Sequence, residues 1–281
     1  MPLSLLMLGI LLLYTYGIFV KAPYIGFYFN PTNGQVLEIY AGNDPILQVG
    51  DVLVKVGDVL VEEYQQDLRL LLYPPGIKEG DILSIEIERD NAPAPIEWKV
   101  PGFTTSEFFG RFFNIWWLAY FFWIFGSIIE LFIRPRDVRW RLLVAANHLT
   151  ALWLLLGSFS AWHIWNGSIL FHAVTWLLLP VYLHLHWIFP KPLVNLPRSL
   201  GVLLYSFAGL IFLGELLQLA PGYLYAIALI LALMGSFTLQ VIHFIWRREQ
   251  RRQVGLLAIS TLLAILPSIA LVAVSVFGEI P

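Results

Sequence analysis

Seven stretches of the chain are almost unbroken in apolar residues: 3–20, 112–133, 142–162, 169–189, 200–219, 223–246 and 254–277. A helix needs about 20 such residues to cross a hydrocarbon core about 30 Å thick, because each residue advances about 1.5 Å. Lipid offers backbone groups no partner, so each stretch is predicted helical, with bends at the interior Pro180 and Pro267. Between the first and second stretches the period changes. Residues 35–40, 51–56 and 82–88 alternate apolar with polar side chains, as strands with one buried face do, and turn-forming residues separate them. Residues 62–73 carry Tyr64, Leu68, Leu71 and Leu72 at helical spacing, which predicts a helix laid over the sheet. Gly50-Asp51 and Gly80-Asp81 each launch a strand from a turn. The expected fold class is a polytopic α-helical membrane protein of about seven spans with an inserted α+β domain. Its expected parts are a first helix over 1–21, the inserted domain over 22–106 and a six-helix bundle over 107–281.

Composition agrees with that class. Of 281 residues 58% are hydrophobic and 13% charged, against roughly 25% charged in soluble domains, and the mean hydropathy is +0.74. Cysteine is absent, which excludes disulfides, thiolate metal sites and thiol nucleophiles. Residues 21–107 carry 14 acidic and 6 basic side chains, and the remainder 5 acidic and 11 basic. Neither part is a nucleic-acid surface. The basic residues fall in alternate loops: Arg134, Arg136, Arg139 and Arg141, then Lys191 and Arg198, then Arg247, Arg248, Arg251 and Arg252. Loops 162–168 and 220–222 hold none. By the positive-inside rule the expected location is a multi-pass protein of the cell membrane, with the amino terminus cytoplasmic and the inserted domain and carboxyl terminus extracytoplasmic. The arginine loops are expected to meet anionic lipid headgroups. A cleaved signal peptide is the alternative for the first stretch. An uncleaved anchor is preferred, because no lysine or arginine precedes it and Val20-Lys21-Ala22-Pro23 is a poor cleavage site.

Several landmarks of the inserted domain resemble a bacterial, circularly permuted PDZ domain. Tyr24-Ile25-Gly26-Phe27 is similar to the carboxylate-binding loop of that family. Gly34-Gln35-Val36 through Asp44-Pro45-Ile46 is similar to its next strand and turn, and residues 47–56, LQVGDVLVKV, to its most diagnostic stretch. Gly57-Asp58 stands where the family usually has Asn-Gly. The resemblance implies that an extended peptide adds as a strand, with Ile25, Gly26 and Phe27 offering amides to its carboxylate and Tyr64 and Leu68 lining the groove. The bland alternative is that these apolar residues fill a small core.

In the fourth stretch Pro180, His184, Phe189 and Pro190 form a Pro-x-x-x-His-x-x-x-x-Phe-Pro pattern. With the preceding order of parts, this resembles the membrane input region of sensor histidine kinases of the competence-pheromone-receptor kind. Pro180, His184 and Pro190 are then the expected signal-relay positions. The sequence shows no phosphoacceptor helix, Asn-rich ATP box or glycine-rich lid, so no enzyme activity and no cofactor are expected. Either a longer protein supplies the kinase region or the module acts on separate partners.

Intramembrane polar groups are rare and often functional. His148, His172, His184, His186 and His243 fall in or near the spans with Glu130 and Glu215. Interhelical hydrogen bonding, haem ligation and proton relay are the readings open to them. His184 and His186 lie about 200° apart on a helix and cannot share a ligand face. Glu130 is expected to reach the interface beside Arg134, and Glu215 to join a small polar cavity. A zinc protease is excluded by the lack of His-Glu-x-x-His. The stretch Gly157-Ser158-Phe159-Ser160 lacks the glycine that usually follows a serine nucleophile, and no inverted repeat argues for transport. The expected function is signal input: an external PDZ-like domain senses a peptide or envelope ligand and is coupled through the bundle to a cytoplasmic kinase or other effector. A structural scaffold of a membrane complex is the alternative, and a second copy of the chain, as a homodimer, is compatible with both.

Overall fold

The computed structural model describes residues 2–41, 46–195, 197–255 and 258–259. The expected turn at Asp44-Pro45, most of the seventh apolar stretch and Pro267 lie outside the described residues. Six helical segments there are long and apolar enough to cross a membrane: Pro2–Lys21, Ile115–Phe132, Val138–Trp162, Ile164–Ile188, Arg198–Leu216 and Leu224–Trp246. Their principal helices are α1 (Pro2–Tyr16), α4 (Leu118–Phe132), α5 (Val138–Phe159), α6 (Gly167–Ile188), α7 (Arg198–Leu216) and α8 (Leu224–Trp246). One bundle core joins α1, α4, α5 and α6 around Leu11, Leu155 and Phe159, and a second joins α6 to α8 around Trp176, Ala228 and Ala232. Large apolar side chains such as Leu203 and Leu210 of α7 and Phe121 and Phe125 of α4 point outward. Lipid is the solvent that tolerates such a belt, whereas a water-facing patch of this extent would associate.

Among the described residues between α1 and α4 there are six strands and two short α-helices. The strands are β1 (Phe27–Phe29), β2 (Val36–Ile39), β3 (Val52–Val56), β4 (Val59–Leu60), β5 (Ile82–Arg89) and β6 (Ala92–Lys99). The helices are α2 (Val61–Gln66) and α3 (Thr105–Phe112). β1 pairs with β2, and a four-stranded antiparallel sheet runs β4-β3-β5-β6. The two meet at a Gln35–Val52 bridge. Their shared core contains Phe27, Phe29, Val36, Leu53, Tyr64, Ile85, Ile87 and Trp98.

The local chemistry explains these elements. Asp51 and Asp81 each accept the amide of the residue three positions back, Gln48 at 2.7 Å and Lys78 at 2.8 Å, so the two Gly-Asp segments build the same turn. Asp51 also pairs with Arg89 at 2.6 Å, which holds its carboxyl below the usual range. Asp90 and Asn91, both at positive φ, close the β5–β6 hairpin in two residues. β6 departs from the alternation expected of a strand because it contains Pro93 and Pro95. It lies at the sheet edge, where proline costs no ladder bond.

The helix predicted over 62–73 is much shorter than expected. It ends at Gln66, where the Asp67 carboxylate accepts the Arg69 amide at 2.9 Å and offers the chain a turn in place of another helical bond. Leu68 is therefore half-buried in a turn, Leu71 is exposed, and only Tyr64 of that predicted face remains on the helix.

The inserted domain sits against one end of the bundle. At that end α1 finishes, α4 begins, and the 160–166 connection joins α5 to α6. The basic loops gather at the other end, where Arg139 reaches the Pro190 carbonyl at 3.5 Å and Arg247 the Leu193 carbonyl at 3.0 Å.

Candidate functional site

β1 is the edge on which a site can be built. Its register places Tyr28 opposite Glu38, while the Tyr40 amide reaches the Gly26 carbonyl and the Asn30 amide the Gln35 carbonyl. The Gly26 carbonyl, Tyr28 and the Asn30 amide thus face β2, and the in-plane groups of Phe27 and Phe29 run along the opposite edge, with a bulge between Tyr28 and Phe29. Phe27 and Phe29 line a cavity of about 540 Å³. Its far wall belongs to the bundle: Trp116, Gly157, Ser158, Ala161 and Trp162. Glu38, Glu107 and Arg111 supply its charged groups, and Tyr28, Tyr40, Tyr73, Ser158 and Ser160 its hydroxyls.

Glu107 and Arg111 form a buried pair one helical turn apart on α3, with Nη2 to Oε1 at 2.6 Å. The other Glu107 oxygen accepts the Gly26 amide at 2.9 Å. Burial pushes the Glu107 carboxyl above its ordinary value, against the opposing pull of Arg111. Arg111 in turn donates to the carbonyls of Ile18 at 2.7 Å, Ala22 at 3.1 Å and Pro23 at 2.5 Å. Its guanidinium lies 4.0 Å from the Tyr24 ring centre and 5.1 Å from that of Trp162. One cation thus ties the end of the first span, the loop before β1, α3 and the 160–166 connection into a node.

The second junction is at α2. The Tyr64 hydroxyl donates to the Ala161 carbonyl, and its ring stacks on His163 at 4.0 Å between centres. His163 Nδ1 bonds the Leu70 carbonyl at 2.8 Å, so the imidazole accounts for that otherwise free group. Burial pushes His163 down to about 4, which leaves it neutral at physiological pH. His163, Trp165 and Asn166 all hold positive φ, 54°, 52° and 57°, a conformation that costs roughly 1–3 kcal/mol per residue outside glycine. The contacts of His163 and Trp165 with Tyr64, Tyr14 and Tyr16 hold the connection in that shape.

Two of the sequence expectations change here. Of the amides of Ile25, Gly26 and Phe27, expected to await a ligand carboxylate, that of Gly26 is already engaged by Glu107. The Tyr64 face, expected to line an open groove, is covered by the bundle connection, and Leu68 is off the helix. Ile25 and Phe27 are buried, and Gly26 adopts φ +89° with Pro101 only 2.5 Å from where a Cβ would stand. Glu107 was overlooked in the sequence, although Thr104-x-x-Glu107 is a capping-box spacing. Thr104 Oγ1 does accept the Glu107 amide at 3.2 Å, but the glutamate side chain turns to Gly26 in place of Thr104.

Within the bundle, Pro180 is buried in a continuous α6, and His184 meets the Tyr205 hydroxyl at 3.2 Å. Pro190 lies just past the helix end. Glu130 does not turn to Arg134: it is buried and accepts the Ser4 hydroxyl, which also lies 3.4 Å from His148 Nε2. Glu215 accepts the Trp176 indole at 3.2 Å and stands 3.6 Å from His172, which stacks on Tyr225. His243 bonds the His186 carbonyl at 2.9 Å. These groups join helices to one another, and none is within the cavity lining. Among the described residues, no three His, Asp or Glu side chains are grouped to hold a metal ion. No protein-family model, curated protein or solved structure matches this chain.

Proposed function

We propose that the protein is a signal-input module of the cell membrane. Its inserted, PDZ-like domain lies outside, senses a peptide or an envelope ligand, and is coupled through the bundle to a cytoplasmic kinase or other effector. The observation that carries this reading is the shared wall of the 540 Å³ cavity, with β1 of the domain on one side and Gly157 to Trp162 of the bundle on the other. A ligand between them touches both bodies. Its affinity therefore depends on their relative placement, and a differential of a few kcal/mol is enough to reverse two populations. Arg111 and His163 are the contacts through which that placement is set. The gathering of arginine loops at the opposite end supports an effector or anionic headgroups there.

A cysteine-free chain makes the test clean. Ser158→Cys places one thiol on the bundle wall of the cavity. Its modification rate in reconstituted full-length chain should fall when a peptide fraction that activates signalling in cells is added. An activating fraction that leaves the thiol rate unchanged rejects this cavity as the input site.

A scaffold reading has one observation in its favour, since the α2 face is already covered by the 160–166 connection, as in a packing platform. Replacing residues 24–100 by a short linker separates the readings. Loss of ligand response with intact complexes supports the sensor, and loss of the complexes supports the scaffold.

A further inference from the structure

A backbone amide beside a guanidinium makes a position for an anion. In this chain the position made by Gly26 and Arg111 is filled from within by Glu107. The glutamate is fixed by its place in the first turn of α3, where Thr104 caps its amide, and by Arg111 one turn on. A tethered group competes at an effective concentration in the millimolar range or above, so a free carboxylate at ordinary concentrations is outcompeted. Displacement would also strand the Glu107 charge in a buried place, which is strongly unfavourable. Four of the five Arg111 donors are already taken, one by Glu107 and three by carbonyls. The other polar side chains on the wall, Glu38, Asn114 and the tyrosine and serine hydroxyls, add no positive charge.

The remainder of the cavity is mainly apolar. Phe27 and Phe29 of β1, the outer strand of its pair, share the lining with Tyr73, Trp116 and Trp162. A three-residue edge spans about 10 Å, and a volume near 540 Å³ suits an occupant of small-ligand size. We propose that the cavity takes a short apolar peptide segment as an added strand along β1, recognised without a free terminal carboxylate because Glu107 already holds that place. The proposal rests on the peptide-sensing reading above and narrows it. Glu107 is its specificity-determining residue: internal segments and amidated ends are accepted, and a carboxylate end gains nothing.

The experiment has two arms, both on the full-length chain in nanodiscs. In the first, thermal unfolding is followed in sodium propionate and in sodium chloride of equal ionic strength. Glu107→Ala should melt below the parent and be restored in part by propionate, whose carboxylate fits the vacated position, while the parent shows no propionate effect. Equal stabilisation of the parent, or none of the variant, overturns the assignment of Glu107. Should Glu107→Ala not fold, Glu107→Gln keeps the acceptor for the Gly26 amide, and propionate protection of the parent alone still overturns the proposal.

In the second arm, fluorescent N-acetyl tetrapeptides of valine, leucine and phenylalanine are compared as free acids and as carboxamides. The parent should bind both forms within about threefold, and Glu107→Ala should favour the acid by about tenfold, which is ~1.4 kcal/mol. A tenfold acid preference in the parent overturns the proposal. If neither form binds either protein, the strand-addition reading itself falls, whereas the propionate arm still decides whether Glu107 fills an anion position.

Discussion

Replacing Arg111 by methionine tests whether one buried cation holds the domain on the bundle. The side chain is buried, makes a 2.6 Å pair with Glu107, and serves the carbonyls of Ile18, Ala22 and Pro23. Methionine fills similar space but leaves a buried carboxylate without its partner, a loss that costs about 3–5 kcal/mol. Docking can be read from one thiol, because the chain has no cysteine. Ala161→Cys puts that thiol, half-buried, on the residue whose carbonyl the Tyr64 hydroxyl bonds, in the domain–bundle contact. If labelling requires local opening, its rate scales with the open population, so a 3–5 kcal/mol loss accelerates it roughly 10²- to 10³-fold or more, up to the rate of a free thiol. Adding Glu107→Gln to Arg111→Met should recover much of the protection, since removing both partners of a buried pair costs far less than removing one. A change of less than about fivefold in Arg111→Met, or additivity in the double variant, would refute the node.

Other expected outcomes are more compact. The docked His163 sheds its proton, with a value moved from an ordinary 6.5 to about 4, so its contribution to docking is full above about 6.5 and declines as pH falls toward 4. Labelling at position 161 should accelerate across that window. Glu107, raised by burial, acts with the opposite sign, so His163→Phe should abolish the acceleration if the imidazole causes it. Gly26→Ala forces a Cβ into Pro101 at φ +89° and should destabilise the inserted domain by about 1–3 kcal/mol, read as faster limited proteolysis at equal expression. Glu130→Ala removes the acceptor of the Ser4 hydroxyl inside the bundle and should lower the melting temperature in detergent by the equivalent of about 1–3 kcal/mol, while Ser4→Ala alone does less. Asp58→Cys, exposed on the domain, should react with a membrane-impermeant maleimide in intact cells, and protection until lysis would reverse the proposed orientation.

The sequence by itself determined the elements whose cause is local or solvent-driven. Unbroken apolar stretches dictated the six spans seen among the described residues, because lipid-length helices have no other way to satisfy their backbone. Alternation at 35–40, 51–56 and 82–88 marked β2, β3 and β5, and the Gly-Asp pairs marked their turns. β6 escaped because edge placement, a tertiary fact, is what tolerates Pro93 and Pro95. The helix at 62–73 was overestimated because spacing is blind to the competing bond from Asp67 to the Arg69 amide. Likewise, no local pattern at Ile25, Gly26 and Phe27 reveals that the Gly26 amide is taken by Glu107, 81 residues away. Only the packing of α3 and the 160–166 connection against the domain decided that the Gly26 amide is filled, that Tyr64 is covered, and that the cavity belongs to two bodies at once. Periodicity encodes which face of an element is buried, and it carries no record of which distant side chain arrives there.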